Sequence, residues 1–155
     1  NRAVGQVNLA DSTSNEWYVT GIQLEVGETA SDFEFLPFDV NLRRCQRYYY
    51  SVVRTAQDIP LCMAASWNTT DAYGVMHLPT TMRATPTLDQ VTGSNYYRYY
   101  NADQSSDKFD SFLIYQGSPN EINIYNDDSM TITSGQAGWF ALIDTSAYVA
   151  FEAEL

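Results

Sequence analysis

The residue types that most often carry catalysis are scarce in this chain, which has a single histidine, His77. A serine–histidine–acid triad would have to use that imidazole, and the nucleophile-elbow motif GxSxG does not occur. A lone histidine in a strand is usually structural, so we predict no catalytic residue and no enzyme activity. Glycoside hydrolysis needs only two correctly separated carboxylates, and the sequence does not show which of its 19 acidic residues pair. Polysaccharide depolymerisation therefore stays open as an alternative.

Acidic turns supply the oxygen ligands that calcium prefers. Asp103, Asp107 and Asp110 form one such group, and Asp127 with Asp128 forms another. Their spacing matches no EF-hand loop, and acidic turns are common without a bound ion. We therefore predict no metal site and no cofactor, with calcium left as the alternative.

The two cysteines, Cys45 and Cys62, show no CxxC metal spacing and are too few for a disulfide framework. The first falls on a predicted helix face and the second in a predicted strand. We predict that both are buried thiols with no disulfide between them, as in a protein assembled in a reducing cytoplasm.

Aromatic residues make up 14% of the chain, and 12 of them are tyrosines. A tyrosine ring offers a flat apolar face and a polar tip, which suits sugar stacking and wet interfaces. Residues 94–110 mix tyrosine, asparagine and serine as adaptable binding loops do, and are the expected host-recognition surface. The candidate ligand-binding residues are Trp67, Tyr97, Arg98, Tyr99, Tyr100 and Asn101. Equally open is the alternative that these side chains fill strand faces or a subunit seam, because tyrosine has a high strand propensity.

Composition excludes several classes of protein. The chain has 155 residues, of which 45% are hydrophobic and 17% charged, as expected of a folded domain. The formal net charge of -11 argues against nucleic acid and against an anionic membrane surface as partners. No apolar run approaches the length of a membrane span, and no signal peptide is visible, so we predict no membrane insertion.

Apolar residues alternate with polar ones over many short stretches separated by turn residues, which predicts strands. The predicted strands are residues 48–54, 62–67, 73–77, 87–91, 96–100, 112–115, 122–125, 130–133, 139–143 and 148–155. The second and third of these are expected to form a hairpin, and residues 101–110 to be polar and flexible. Leu42 and Cys45 lie at helical spacing after a possible cap at Asp39 or Asn41, which predicts one short helix. The expected fold is mainly β, a jelly-roll-like β-sandwich with one short helix at its start.

Residues 1–38 are predicted to hold the last strands of a preceding β-module plus a linker, and residues 39–155 a terminal domain. Residues 16–26 predict a long strand with a bulge at Gly21, where the apolar phase changes. Residues 4–9 are its expected partner in a hairpin, which needs outside contacts because a lone hairpin is marginal in water. Four apolar residues follow that are expected to pack between the modules, namely Phe33, Phe35, Leu36 and Phe38. Because the chain begins without Met inside a strand-like pattern, we expect it to be part of a longer protein.

Four phrases resemble the C-terminal region of bacteriophage tail-fibre and appendage proteins. They are WYVTGIQLEVG at residues 17–27, LRRCQRYY at 42–49, HLPTTMRATPTL at 77–88 and FEAEL at 151–155. In that family they mark the end of a carbohydrate-binding-like β-module, a linker, and a terminal β-domain. Their order and spacing cover nearly the whole chain.

The resemblance implies a virion structural protein that is assembled in the host cytoplasm and is usually a homotrimer. It implies other virion proteins as partners, and it supplies no catalytic residue. The expected task is to cap a fibre and to present a host-receptor surface, with a surface glycan as the ligand. A purely structural capsid-attached fibre or decoration protein is the alternative.

Overall fold

The structure, a computed structural model, describes residues 12–16, 18–29, 31–54 and 58–154, without the side chains of residues 53 and 54. The chain divides into two compact units, Asn1–Pro37 and Phe38–Leu155. The boundary predicted from the sequence lies one residue later. The predicted strand at residues 4–9 lies outside the described residues.

In the first unit, the described residues of the predicted long strand form no strand, and Gly21 has a φ of 71°. One face is polar and is tied to the returning chain, since Gln23 Oε1 accepts a hydrogen bond from the Glu34 amide at 2.8 Å. The opposite face is apolar and exposed to solvent. Its side chains Ile22, Leu24 and Val26 are 73%, 97% and 107% exposed. The strand prediction is therefore wrong for these residues, because alternation marks two faces without supplying a hydrogen-bonding partner.

The predicted linker aromatics are only partly packed. The ring centroids of Phe33 and Phe35 lie 4.8 Å apart with an edge-on geometry. Phe35 is 88% exposed and Phe38 80% exposed, and the packing expected between the two modules stays a prediction.

The predicted helix is present as α1, Phe38–Gln46. Asp39 lies in its first turn and Arg43 and Arg44 in its last, which suits the helix dipole. None of its residues is buried, and Cys45 is exposed. The prediction that Cys45 is buried is wrong. Helical spacing shows which residues share a face, but it does not show whether another element covers that face.

Ten strands among the described residues form the rest of the second unit. They are β1 (Tyr49–Arg54), β2 (Ile59–Ser66), β3 (Ala72–His77), β4 (Thr87–Gln90), β5 (Tyr97–Asn101), β6 (Ser106–Phe109), β7 (Phe112–Gly117), β8 (Glu121–Asn126), β9 (Ala137–Leu142) and β10 (Tyr148–Glu152). A three-stranded sheet has the order β1-β10-β4, and a seven-stranded sheet the order β6-β5-β9-β2-β3-β8-β7. All their pairings are antiparallel. The mainly β sandwich predicted from the sequence is confirmed.

Two predictions within this unit are wrong. β6 lies inside the stretch expected to be flexible, and residues 130–133 form no strand. In place of a strand ladder, the Met130 and Ile132 amides donate to the carbonyls of Thr70 and Thr69, each at 3.0 Å. Both apolar side chains are buried, which explains the strand-like alternation.

The seven-stranded sheet is strongly curled. Its two edge strands, β6 and β7, are joined by only Asp110 and Ser111. The edges of a flat sheet of seven strands would be about 29 Å apart, whereas three residue steps reach at most about 11 Å. The curl brings the rings of Phe109 and Phe112 to 4.8 Å from each other.

The core lies inside this curl and is shared with the three-stranded sheet. Its largest side chains are fully buried aromatic rings on β5, β6, β7, β9 and β10: Tyr97, Tyr99, Phe109, Phe112, Phe140 and Phe151. Gly138 lets β5 and β9 approach, because a Cβ there would lie 2.0 Å from the Tyr100 carbonyl oxygen. Two of the tyrosines, Tyr97 and Tyr99, therefore lie in the interior of the sandwich.

Candidate functional site

Three of the six candidate binding residues lie in the core. β5 alternates strictly, so Tyr97, Tyr99 and Asn101 point inward and are 0%, 0% and 2% exposed. The Tyr97 hydroxyl donates to the carbonyl oxygens of Val91 and Tyr148, at 2.6 and 3.0 Å. A sugar cannot reach these side chains, so the predicted role is wrong for all three. Tyrosine is stable there because its hydroxyl finds buried acceptors.

Arg98 and Tyr100 point to the outer face, where they form a closed cluster. The Tyr100 ring stacks on Trp139 at 5.0 Å, with 19° between the planes. Its hydroxyl accepts from Arg98 Nη1 at 2.8 Å and donates to Asp58. Desolvation and the hydrogen bond to Asp58 raise the pKa of Tyr100, so its hydroxyl stays neutral. One ring face and the hydroxyl of Tyr100 are therefore already engaged within the chain.

Trp67 is the candidate that the structure places at an open site. It is 78% exposed on the outer face of the seven-stranded sheet. Its ring lies edge-on to Tyr73 at 6.3 Å, and Tyr73 in turn lies 5.2 Å from Tyr115 and 5.3 Å from Tyr125. Sequence reasoning did not identify these three tyrosines as one cluster, because they come from β3, β7 and β8.

The hairpin between β2 and β3 holds Trp67 in place. The Trp67 amide donates to the Asp71 carbonyl at 2.8 Å. Within the turn, Asn68 Oδ1 accepts from the amides of Thr70 and Asp71, at 2.7 and 2.6 Å. This side-chain-to-backbone pattern is why an Asn-Thr-Thr-Asp sequence forms a tight turn. The backbone that carries the exposed indole is therefore well supported.

Strand register and a bulge aim the tyrosines. Tyr73 and Tyr125 are direct cross-strand neighbours of β3 and β8. In β7 the register shifts between Ile114 and Gln116, which leaves Tyr115 as the extra residue. A β-bulge of this kind re-aims a side chain, and here the Tyr115 ring is directed toward Tyr73.

These residues form a groove that we call the aromatic groove, lined by Trp67, Tyr73, Tyr115 and Asn123, with a volume of about 390 Å³. A smaller depression of about 250 Å³ lies beside it and shares Asn123. Asn123 Oδ1 is buried and has no hydrogen-bond partner. The groove thus combines flat ring faces with the hydroxyls of two tyrosines, an arrangement that can hold a ligand of mixed apolar and hydroxylated character.

The groove is lined by neutral side chains, and the depression beside it holds a carboxylate. Desolvation, followed by the charge of Asp71, raises the pKa of Tyr73, so its hydroxyl stays protonated. Glu121 lines the smaller depression, and its Oε2 lies 3.6 Å from His77 Nδ1. His77 is thus an exposed partner of a carboxylate.

The candidate calcium residues act as loop caps. Asp103 accepts from the Ser105 amide and from the Thr133 hydroxyl, at 2.9 and 2.7 Å. Asp127 accepts from the Ser111 amide at 3.1 Å. Among the described residues, no group of three or more His, Cys, Asp or Glu side chains is arranged to hold a metal ion.

Apolar exposure continues beyond the groove on the same sheet. Met63, Val75, Leu113 and Trp139 are 70%, 49%, 44% and 36% exposed. An exposed apolar surface of this extent is typical of an interaction site.

Comparisons with protein-family models, with curated proteins and with solved structures found no match to this chain. Within the described part of the chain, no helix has the length and apolar character needed to span a bilayer.

Proposed function

We propose that this chain belongs to a phage tail fibre or related virion appendage, and that its β-sandwich binds a host-surface glycan. The order and spacing of the four sequence phrases support the first part. The aromatic groove is the observation that supports the second. We propose the aromatic groove in place of the surface predicted at residues 94–110, because Tyr97 and Tyr99 of that segment are buried in the core.

The groove suits a sugar ring for physical reasons. A pyranose has C–H faces that pack on aromatic rings, and hydroxyls that need hydrogen-bond partners. Each aromatic contact contributes about 0.5–1.5 kcal/mol beyond its area, and the exposed faces of Trp67 and Tyr115 offer two such contacts. The groove volume, about 390 Å³, lies at the small end of the usual range for ligand sites. We expect a short oligosaccharide, bound weakly by each copy of the chain.

Weak sites gain strength when several act together on one surface. We therefore propose a homotrimer, as the resemblance implies, and the apolar outer face around Met63 supports association with other chains. Light scattering at micromolar concentration should give the mass of three chains. A stable monomer would contradict this part of the proposal.

Glycan binding is tested by varying Trp67. Trp67→Ala should lower binding to host cells and to a glycan array at least severalfold, whereas Trp67→Tyr should retain most of it. Phe38→Ala is the matched control, because Phe38 is 80% exposed but lies on α1. Normal adsorption by Trp67→Ala, with the oligomer intact, would reject the groove as the receptor site.

A second candidate function is purely structural, and the apolar surface outside the groove favours it. In that case Met63, Val75 and Trp139 would be covered by another virion protein. Met63→Glu should then block incorporation into particles while the homotrimer and its glycan binding persist. If Met63→Glu particles assemble normally, the structural alternative loses its support.

A further inference from the structure

We infer that the aromatic groove selects uncharged sugars and rejects sugars that carry a carboxylate. This inference rests on the proposed glycan-binding function. It concerns the class of ligand, and it follows from the charges and hydrogen-bonding groups that surround the groove.

The charges near the groove are acidic. Asp71 stands two residues before Tyr73, and its carbonyl accepts from the Trp67 amide at 2.8 Å. Glu121 lines the adjoining depression. Neither space is lined by a described lysine or arginine. Any positive charge on His77 would be paired with Glu121. A sugar carboxylate in the groove would therefore meet carboxylates with no cation to balance it.

Four of the described basic side chains lie on elements that do not line the groove. Arg43 and Arg44 are on α1, and Lys108 is on the edge strand β6. Arg98 is on β5, where its Nη1 donates to the Tyr100 hydroxyl at 2.8 Å. With a formal net charge of -11, the long-range field of the chain also repels an anionic ligand.

The hydrogen-bonding groups favour the same class of ligand. A sugar hydroxyl donates and accepts, whereas an ionised carboxylate only accepts. The hydroxyls of Tyr73 and Tyr115 make no hydrogen bond within the described residues, so they remain available to a ligand. A hydroxyl of an uncharged pyranose can both donate to and accept from these two tyrosine hydroxyls.

Matched glycans test this inference. An array would carry pairs of oligosaccharides that differ only in a terminal hexose or the corresponding hexuronic acid. The intact protein should bind the neutral member roughly fivefold more tightly, the effect of one close like-charge pair in water. The preference should shrink in 0.5 M salt because the repulsion is screened.

Two variants locate the source of the preference. Glu121→Gln should reduce the discrimination between the pair members. Glu152→Gln, the same change on the three-stranded sheet, should leave the discrimination unchanged. Trp67→Ala should weaken binding of the neutral member.

The outcomes separate the inference from the proposed function. Equal or tighter binding of the uronic-acid member, sensitive to Trp67→Ala, would overturn the inference and leave glycan binding in place. A preference that is unaffected by salt and by Glu121→Gln would also overturn it. Binding to no glycan, or binding insensitive to Trp67→Ala, would overturn the proposed function itself.

Discussion

The rings of Tyr73 and Tyr125 stack at a centroid distance of 5.3 Å with only 12° between their planes. They are cross-strand neighbours on β3 and β8, and they face the outside of the sandwich. Tyr115 packs edge-on against both, at 5.2 and 6.3 Å. The stack thus sets the wall of the aromatic groove that Trp67 borders.

Tyr125 should act as a positioning residue for this wall. Tyr125→Leu removes a stacked partner of Tyr73, so we expect a loss of about 0.5–1.5 kcal/mol in the free energy of unfolding and weaker glycan binding. Tyr125→Phe keeps the ring, so it should change neither the free energy of unfolding nor the glycan affinity appreciably. Chemical denaturation and binding titration are the measurements. If the phenylalanine variant loses as much as the leucine variant, the stack is not the cause.

Tyr97 should matter for folding and not for recognition. Tyr97→Phe removes the hydroxyl proton that the part-buried carbonyl oxygens of Val91 and Tyr148 share. The expected cost is about 1–3 kcal/mol of the free energy of unfolding. Glycan affinity of the remaining folded protein should not change. Tyr96→Phe is the neighbouring control, with little expected effect, and a reduced glycan affinity in folded Tyr97→Phe would contradict the burial argument.

Asp128 should make the domain less stable as the pH rises. Desolvation, together with the adjacent Asp127 and Asp110, raises the pKa of Asp128 from 3.8 to about 6. A carboxyl whose pKa is raised by folding binds more protons in the folded state than in the unfolded state. Its contribution to the free energy of unfolding is therefore fully present below pH 3.8 and is lost as the pH rises through about 6.

Thermal unfolding of Asp128→Asn across this pH range tests whether the Asp128 carboxyl destabilises the domain as the pH rises. The variant should be as stable as the unmodified protein near pH 3.5 and more stable than the unmodified protein at pH 7.5. The gain should stay below about 1 kcal/mol because the group is exposed and screened. Glu152→Gln serves as the charge-matched control. A variant that is less stable than the unmodified protein at pH 7.5 would show that the ionised carboxylate stabilises the loop.

The two thiols should react at different rates. Cys45 is exposed on α1, whereas Cys62 is half-buried and desolvation raises its pKa to about 12. A thiol reagent should therefore modify one group quickly in the native protein and the second only after denaturation. Cys45→Ser should abolish the fast phase. Loss of both thiols in freshly purified, denatured protein would instead reveal a disulfide.

Local pattern was enough to predict much of the sandwich. The alternation in residues 62–67 and 73–77, with a polar turn between them, predicted the β2–β3 hairpin that the structure shows. The spacing of Leu42 and Cys45 predicted α1. Hairpins and short helices depend on neighbouring residues, so their signals are contained in one stretch of sequence.

The sequence by itself determined a mainly β chain with one short helix and pointed to exposed aromatic residues, of which Trp67 is one. Only the tertiary structure decided which tyrosines face outward, since period-two alternation defines two faces without saying which is covered. Tyr97 lies in the core because the curled sheet packs Phe109 and Phe112 against its ring. Tyr115 reached the groove through a bulge that exists only once β7 pairs with β8. Both outcomes depend on contacts between distant strands, which no local pattern records.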